Sequence, residues 1–258
     1  MCIRDRYLDY YYQEKTKDNR ILVKKEDGKI ISMLHRNPYK VHVGEKLWDV
    51  DYIVAVATKE SRRGKGYMRE VLTKALRDMN LEGRPFTFLM PAAEAIYRPF
   101  DFRFIWKKPL LSLKKEAGEE IEIIPVSESE EDCKRAAEFM EKWLAEHSQV
   151  YTCRDEAYVR RIRKELGSED GELYFLRGNQ GEDLGLQGLT GKEKKDQAFL
   201  YAKEGCYEER EGKTGIMARI TALRVFLTAF SLKISGNLIL DLEVEDKLIP
   251  ENEGRYLW

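Results

Sequence analysis

The chain holds 258 residues, enough for one or two domains, with 45 Lys/Arg against 46 Asp/Glu and a formal net charge of -1. Its 43% hydrophobic and 11% aromatic content supplies a packed core, which excludes a wholly disordered, collagen-like or mucin-like chain. No apolar run reaches about 18 residues and the start lacks a signal-peptide pattern, so the sequence reads as a soluble, cytoplasmic protein with no membrane partner.

Residues 1–110 carry 23 Lys/Arg and 15 Asp/Glu, the remainder 22 and 31. A basic first part suits an anionic ligand and an acidic second part a cationic one, although two differently solvated surfaces would look the same. Cys2, Cys133, Cys153 and Cys206 form no CxxC pair, and His35, His42 and His147 complete no zinc set, so free thiols and no metal are expected.

Met1 to Arg6 resemble a translated sequencing-adaptor read-through and are expected to carry no fold information. Tyr7 to Gln13 reads as the tail of a helix. Arg20 to Lys25 and Lys29 to Arg36 are strands joined by the hairpin signal Asp27-Gly28, and two further strands follow at Tyr39 to Val43 and Leu47 to Ala57. From Tyr67 the apolar period changes to 3.6 through Met68, Val71, Leu72, Ala75, Leu76 and Met79, predicting a helix that Gly83-Arg84-Pro85 ends. Phe86 to Met90 is a short buried strand, Ala92 to Arg98 a helical turn and Phe102 to Leu113 another strand.

Ala117 to Glu120 reads as a linker. Ile121 to Val126 is then a strand, Ser127 with Glu130 a capping box for a helix to about His147, and Asp155 to Leu166 a second helix stopped by Gly167. Leu173 to Arg177 and Asp183 to Leu189 form a hairpin. Strand, two helices and hairpin suggest an imperfect duplication of the first lobe. Val225 to Phe230 is a short helix, Leu238 to Val244 a strand, and a turn at Glu251 to Gly254 leads into Arg255 to Trp258.

The chemistry concentrates in residues 53–69. A buried strand runs into a loop with two glycines and several cations, then directly into an amphipathic helix. Glycines allow close backbone approach, and N–H groups at a helix start carry partial positive charge, so the stretch is an anion cradle; a basic turn with glycines for backbone reasons is the plainer alternative. Gly212-Lys213-Thr214 lacks the earlier glycine of a P-loop, and no GxGxxG follows a strand. The slightly acidic chain has no nucleic-acid recognition motif, so no nucleic-acid partner is expected.

Arg63-Gly64-Lys65-Gly66-Tyr67-Met68 resembles the acyl-CoA pyrophosphate loop of the GCN5-related N-acetyltransferases (GNAT), with Met68 where Gly or Ala is usual. Ala57-Thr58 ahead of that loop, with Glu94 to Phe100 (Glu-Ala-Ile-Tyr-Arg-Pro-Phe), is similar to the Eis family within it. Ile216 to Ile220 and Leu248 to Gly254 look like the start of that family's sterol-carrier-like C-terminal domain. The resemblance implies an α/β (α+β) fold of two tandem GNAT-like lobes, with mixed, mostly antiparallel sheets and flanking helices. The spans would be 1–117, a degenerate copy over 118–219, and the start of the third domain over 220–258, in a chain truncated at both ends.

It further implies acetyl transfer from acetyl-CoA to a primary amine of a cationic small-molecule or protein acceptor, in a family whose complete members are homo-oligomers. Val54, Ala55 and Val56 would hold the pantetheine as an extra strand, and Arg62, Arg63, Gly64, Lys65, Gly66, Tyr67, Met68 and Arg69 would take the pyrophosphate. Tyr97 would be the general acid, a role a phenol with a reference pKa of about 10 can fill toward a leaving thiolate. The family assigns the base to its C-terminal carboxylate, a role not transferred to Trp258. A CoA-binding or lipid-carrier module without turnover is the alternative.

Overall fold

Asp27 and Gly28 both adopt positive φ, 50° and 75°, the backbone signature of a two-residue hairpin turn, and fold β1 (Arg20–Glu26) onto β2 (Lys29–Val43) with Glu26 opposite Lys29. The computed structural model describes residues 3–114, 121–212, 214–228 and 239–257. A helix, α1 (Ile3–Tyr10), precedes the hairpin. After it come β3 (Lys46–Thr58), α2 (Tyr67–Leu81), β4 (Phe86–Leu89), the one-turn α3 (Glu94–Tyr97), β5 (Arg103–Lys107) and β6 (Leu110–Leu113). The middle of the chain supplies β7 (Glu122–Pro125), α4 (Glu130–His147), β8 (Val150–Thr152), α5 (Glu156–Ser168), β9 (Glu172–Arg177), β10 (Asp183–Thr190), β11 (Asp196–Ala202) and β12 (Tyr207–Arg210). The last stretch adds β13 (Thr214–Ile220), α6 (Leu223–Leu227), β14 (Asp241–Val244) and β15 (Gly254–Leu257). No helix among the described residues is long and apolar enough to cross a membrane.

These elements gather into two compact units, residues 18–107 with 214–258 and residues 1–17 with 108–213. The sheet of the first runs β1-β2-β3-β4-β13-β5, and β3–β4 is its parallel pair among otherwise antiparallel ladders. α2 packs on it through Val71, Leu72, Ala75, Leu76 and Met79, the helical stripe visible in the sequence, with Leu34, Ile53, Leu89 and Phe102 closing the core. In the second unit an antiparallel sheet, β11-β10-β9-β7, is covered by α4 and α5 through Ala136, Met140, Val159 and Leu166.

The grouping departs from the spans 1–117, 118–219 and 220–258. The described residues from 214 onward group with residues 18–107. β13 lies between β4 and β5, Ile249 is fully buried in the first unit's core, and Arg77 Nε donates to the Leu248 carbonyl at 2.9 Å. A sheet interior accepts any strand of suitable pattern, whatever its distance along the chain. The expected strand Phe102 to Leu113 is two strands: Pro109 has no N–H for a ladder, so β5 stays in the first unit while β6 pairs with β12 in the second.

Three smaller differences have local causes. Residues 3–6, expected to carry no fold information, belong to α1, and Arg6 pairs with Asp170 at 2.6 Å. The cap of α4 is Ser129, two residues later than expected: its Oγ accepts the Asp132 N–H at 3.1 Å, while Asp132 accepts from the Ser127 N–H at 3.0 Å rather than from the cap residue. α5 runs past Gly167, and the close approach falls at Gly171, where a Cβ would collide with the Leu189 carbonyl oxygen. The strands β11 and β12 are additions that the sequence pattern does not announce. The linker at 117–120, Phe230, Leu238 and Trp258 lie outside the described residues.

Leu72 is completely buried at the centre of the α2 stripe. Leu72→Ala removes its packing and leaves a cavity, so urea unfolding should show a loss of about 3 kcal/mol.

Candidate functional site

β3 and β4 are paired over two positions only, Asp51 with Thr87 and Tyr52 with Phe88. A buried ion pair between β2 and β3 lies beside that junction. The Arg36 side chain, 2% exposed, donates Nε to Asp51 Oδ2 at 2.8 Å, adds a second bond from Nη2, and reaches Glu82 at 2.7 Å, while Thr87 Oγ1 donates to the Asp51 carbonyl at 2.7 Å. Burial pushes the Glu82 carboxyl up. The Arg36 hydrogen bond and the charges of Arg36, Arg20 and Arg84 outweigh it and hold the group below the usual carboxylate range.

Beyond Tyr52, β3 is laddered to β2 alone among the described residues. There the pairing slips, His35 opposite Val54 but Met33 opposite Ala57, and Ala55 takes φ 53° in the resulting bulge. Ser32 braces it, its Oγ 3.1 Å from the Ala57 carbonyl and 2.9 Å from Thr58 Oγ1. The edge of Val54, Ala55 and Val56 that would face β4 therefore offers backbone N–H and C=O groups that no strand takes, the setting in which an extended ligand adds as a strand.

β3 ends directly in the cationic loop. The Lys59 N–H bonds the Ile31 carbonyl at 2.8 Å, Glu60–Arg62 make one tight turn, and Gly64 and Gly66 follow at φ 75° and 83°. Only glycine holds such angles without strain, and a Cβ at Gly66 would meet nothing within 4 Å, so the space beside it is open. α2 starts at Tyr67 without a side-chain cap. Its first intrahelical bond runs from the Glu70 N–H to the Gly66 carbonyl, so the N–H groups of Tyr67, Met68 and Arg69 have no acceptor within the helix. Arg63, Lys65 and Arg69 are exposed beside them. Aligned donors, helix dipole and cations are the features an anion-binding site requires. Met68 turns inward and packs with Val56 against the core.

Tyr97 ends α3 with its ring 8% exposed, set edge-on to Phe102 at 6.0 Å between centroids. Its hydroxyl has no hydrogen-bond partner among the described residues, and burial pushes its pKa above the ordinary value, which keeps the phenol protonated at neutral pH. Tyr97 belongs to the core cluster against which Val56 and Met68 also pack, and the Arg69 guanidinium lies 4.9 Å over the Phe100 ring.

Sequence reasoning missed three contributors. Glu26 accepts from Tyr67 Oη at 2.7 Å and pairs with Arg62 at 2.9 Å. Arg219, nearly buried on β13, donates to the Phe100 carbonyl at 2.7 Å and pairs with Asp246, holding the turn that follows Tyr97. Arg36 with Asp51 is the third. All are charged residues in strand or loop stretches with no periodic signal, and only their partners reveal them.

Residues 4–105 match the family model for the acetyltransferase (GNAT) domain, a match that begins inside the stretch whose sequence looks foreign to the fold. No curated protein matches the chain. Among solved structures it is similar to a probable N-acyltransferase from Enterococcus faecalis V583, at 16% identity and TM-score 0.71 over 99% of this chain and 79% of that one. It is also similar to Eis1 from Mycobacterium abscessus, at 13% identity and TM-score 0.68 over 98% and 80%. A GCN5-related N-acetyltransferase from Anabaena variabilis gives 16% identity and TM-score 0.66 over 98% and 74%. At these identities the likeness is one of fold.

The burial of Tyr97 generates a spectroscopic expectation. In an alkaline titration at 295 nm, the difference between the parent and Tyr97→Phe should isolate one tyrosine that ionises above about pH 10, later than an exposed phenol.

Proposed function

We propose that this chain, whose residues 4–105 carry a GNAT acetyltransferase domain, transfers an acetyl group from acetyl-CoA to a primary amine of a cationic acceptor, in the manner of the Eis-like enzymes it resembles. The observation that carries the reading is the continuity of three parts: a strand edge opened by the short β3–β4 ladder, a glycine-bearing cationic loop, and an uncapped helix start. An extended ligand ending in phosphates matches all three at once.

Acetyl-CoA supplies the activated acyl group as a thioester. The backbone edge of Val54, Ala55 and Val56 binds the extended arm and provides an N–H aimed at the thioester carbonyl, which stabilises the charge that develops there. The loop from Arg62 to Arg69 binds the pyrophosphate through N–H groups and cations. The neutral amine attacks the thioester carbon, the C–S bond breaks, Tyr97 donates its hydroxyl proton to the departing thiolate, and the amide nitrogen sheds a proton to solvent, from which the tyrosinate is reprotonated. The excess of Asp and Glu after residue 110, 31 against 22 Lys and Arg, favours a positively charged amine.

Two variants test this reading with calorimetry for CoA and turnover on a panel of amines. Gly66→Val places a branched side chain at φ 83° in the space beside the helix start, so CoA affinity should fall at least tenfold; unchanged affinity would leave an ordinary basic turn. Tyr97→Phe keeps the ring and removes the proton, so CoA affinity should survive while kcat falls by about 10² to 10⁴. Turnover within a few-fold of the parent would remove Tyr97 from the mechanism. CoA binding by the parent without transfer to any amine would indicate a binding module.

A further inference from the structure

We propose that Glu26 is a positioning residue for the anion-binding loop, one carboxylate that ties both ends of the loop to the β1–β2 hairpin. The proposal rests on the acyl-CoA reading above and adds the part that holds the loop in its binding shape. Glu26 Oε1 accepts the Tyr67 hydroxyl at 2.7 Å, and Oε2 lies 2.9 Å from Arg62 Nη2. Arg62 closes the turn before the loop and Tyr67 opens α2 after it. The bridge therefore spans Arg63-Gly64-Lys65-Gly66, the segment in which two positive-φ glycines leave the backbone least restrained.

The anchor itself is stiff. Glu26 sits opposite Lys29 at the last rung of the hairpin, beside the tight Asp27-Gly28 turn. Elsewhere the loop is tethered to the sheet upstream, where the Lys59 N–H bonds Ile31. Arg62 is the cation paired with the carboxylate, while Arg63, Lys65 and Arg69 stay exposed beside the loop. A loop ordered before binding does not pay its ordering entropy on binding.

A negative charge beside a phosphate site could instead compete with the ligand, and the two roles predict opposite signs. Calorimetry with CoA should be run on the parent, Glu26→Gln, Glu26→Ala, Tyr67→Phe and the Glu26→Ala/Tyr67→Phe double variant. Glu26→Ala should weaken binding about tenfold, the scale of a lost hydrogen bond to a charged group plus the freed loop. Glu26→Gln should fall between, because its amide oxygen still accepts from Tyr67. The double variant should bind no worse than Glu26→Ala alone, since both changes break one bridge. In turnover the KM for acetyl-CoA should rise by a similar factor, while kcat and the amine KM stay within twofold. Glu26 is about a third exposed at its side chain, so thermal melting should move little.

CoA binding that is unchanged or tighter in Glu26→Ala overturns the proposal, as do additive effects in the double variant. A parent that fails to bind CoA overturns the acyl-CoA reading itself and the proposal with it, an outcome distinct from a binding parent with indifferent variants.

Discussion

The Arg36–Asp51 ion pair is the constraint on which the site depends, because it stands where β3 and β4 meet for the last time. A charge at 2% exposure is tolerable only with a partner, and removing one member of such a pair costs about 3 to 5 kcal/mol. The pair ties β2 to β3 beside that junction, while the Thr87 hydroxyl on the Asp51 carbonyl and the two ladder positions hold β3 to β4. The sheet then opens at one defined place. The edge at Val54 to Val56 lies just beyond the last of those ladder positions.

The bulge, loop and helix start beyond that opening need little energy to form. A non-glycine residue in the left-handed region costs about 1 to 2 kcal/mol, and the Ala55 bulge is held by ladder pairs on both sides and by Ser32. A single helix start attracts an anion by only about 0.3 to 1 kcal/mol when exposed, so the dipole alone would make a poor site. Three exposed cations, unsatisfied N–H groups and an open strand edge acting on one extended anion make a specific one. Tyr97 adds a different property, a neutral proton donor set in an apolar wall.

The unit is closed by residues far away in the chain. β13 separates β4 from β5, and its Arg219 links Asp246 to the Phe100 carbonyl just after Tyr97. Asp246 also accepts the Leu248 and Ile249 N–H groups and an Asn252 amide proton, so the last stretch is knotted to the strand that enters the sheet. The turn after Tyr97 is thus supported from β13 as well as by its own neighbours.

The sequence by itself determined what local physics encodes. The Asp27-Gly28 hairpin, the α2 stripe from Val71 to Met79, and the glycine-cation loop before a helix start are each specified within a few residues, and each took the form its pattern predicted. Tyr97 is singled out by resemblance alone, since its neighbourhood reads as that of one more core aromatic. Tertiary structure alone decided where the strand after Phe102 breaks and changes unit, that β13 enters the first sheet, and that Glu26, Asp51 and Arg219 touch the site. The physical reason is the same in every case: a charge in a strand is neutral in meaning until its partner, tens or hundreds of residues away, is brought within hydrogen-bond reach, and a strand has no address until a sheet leaves it a place.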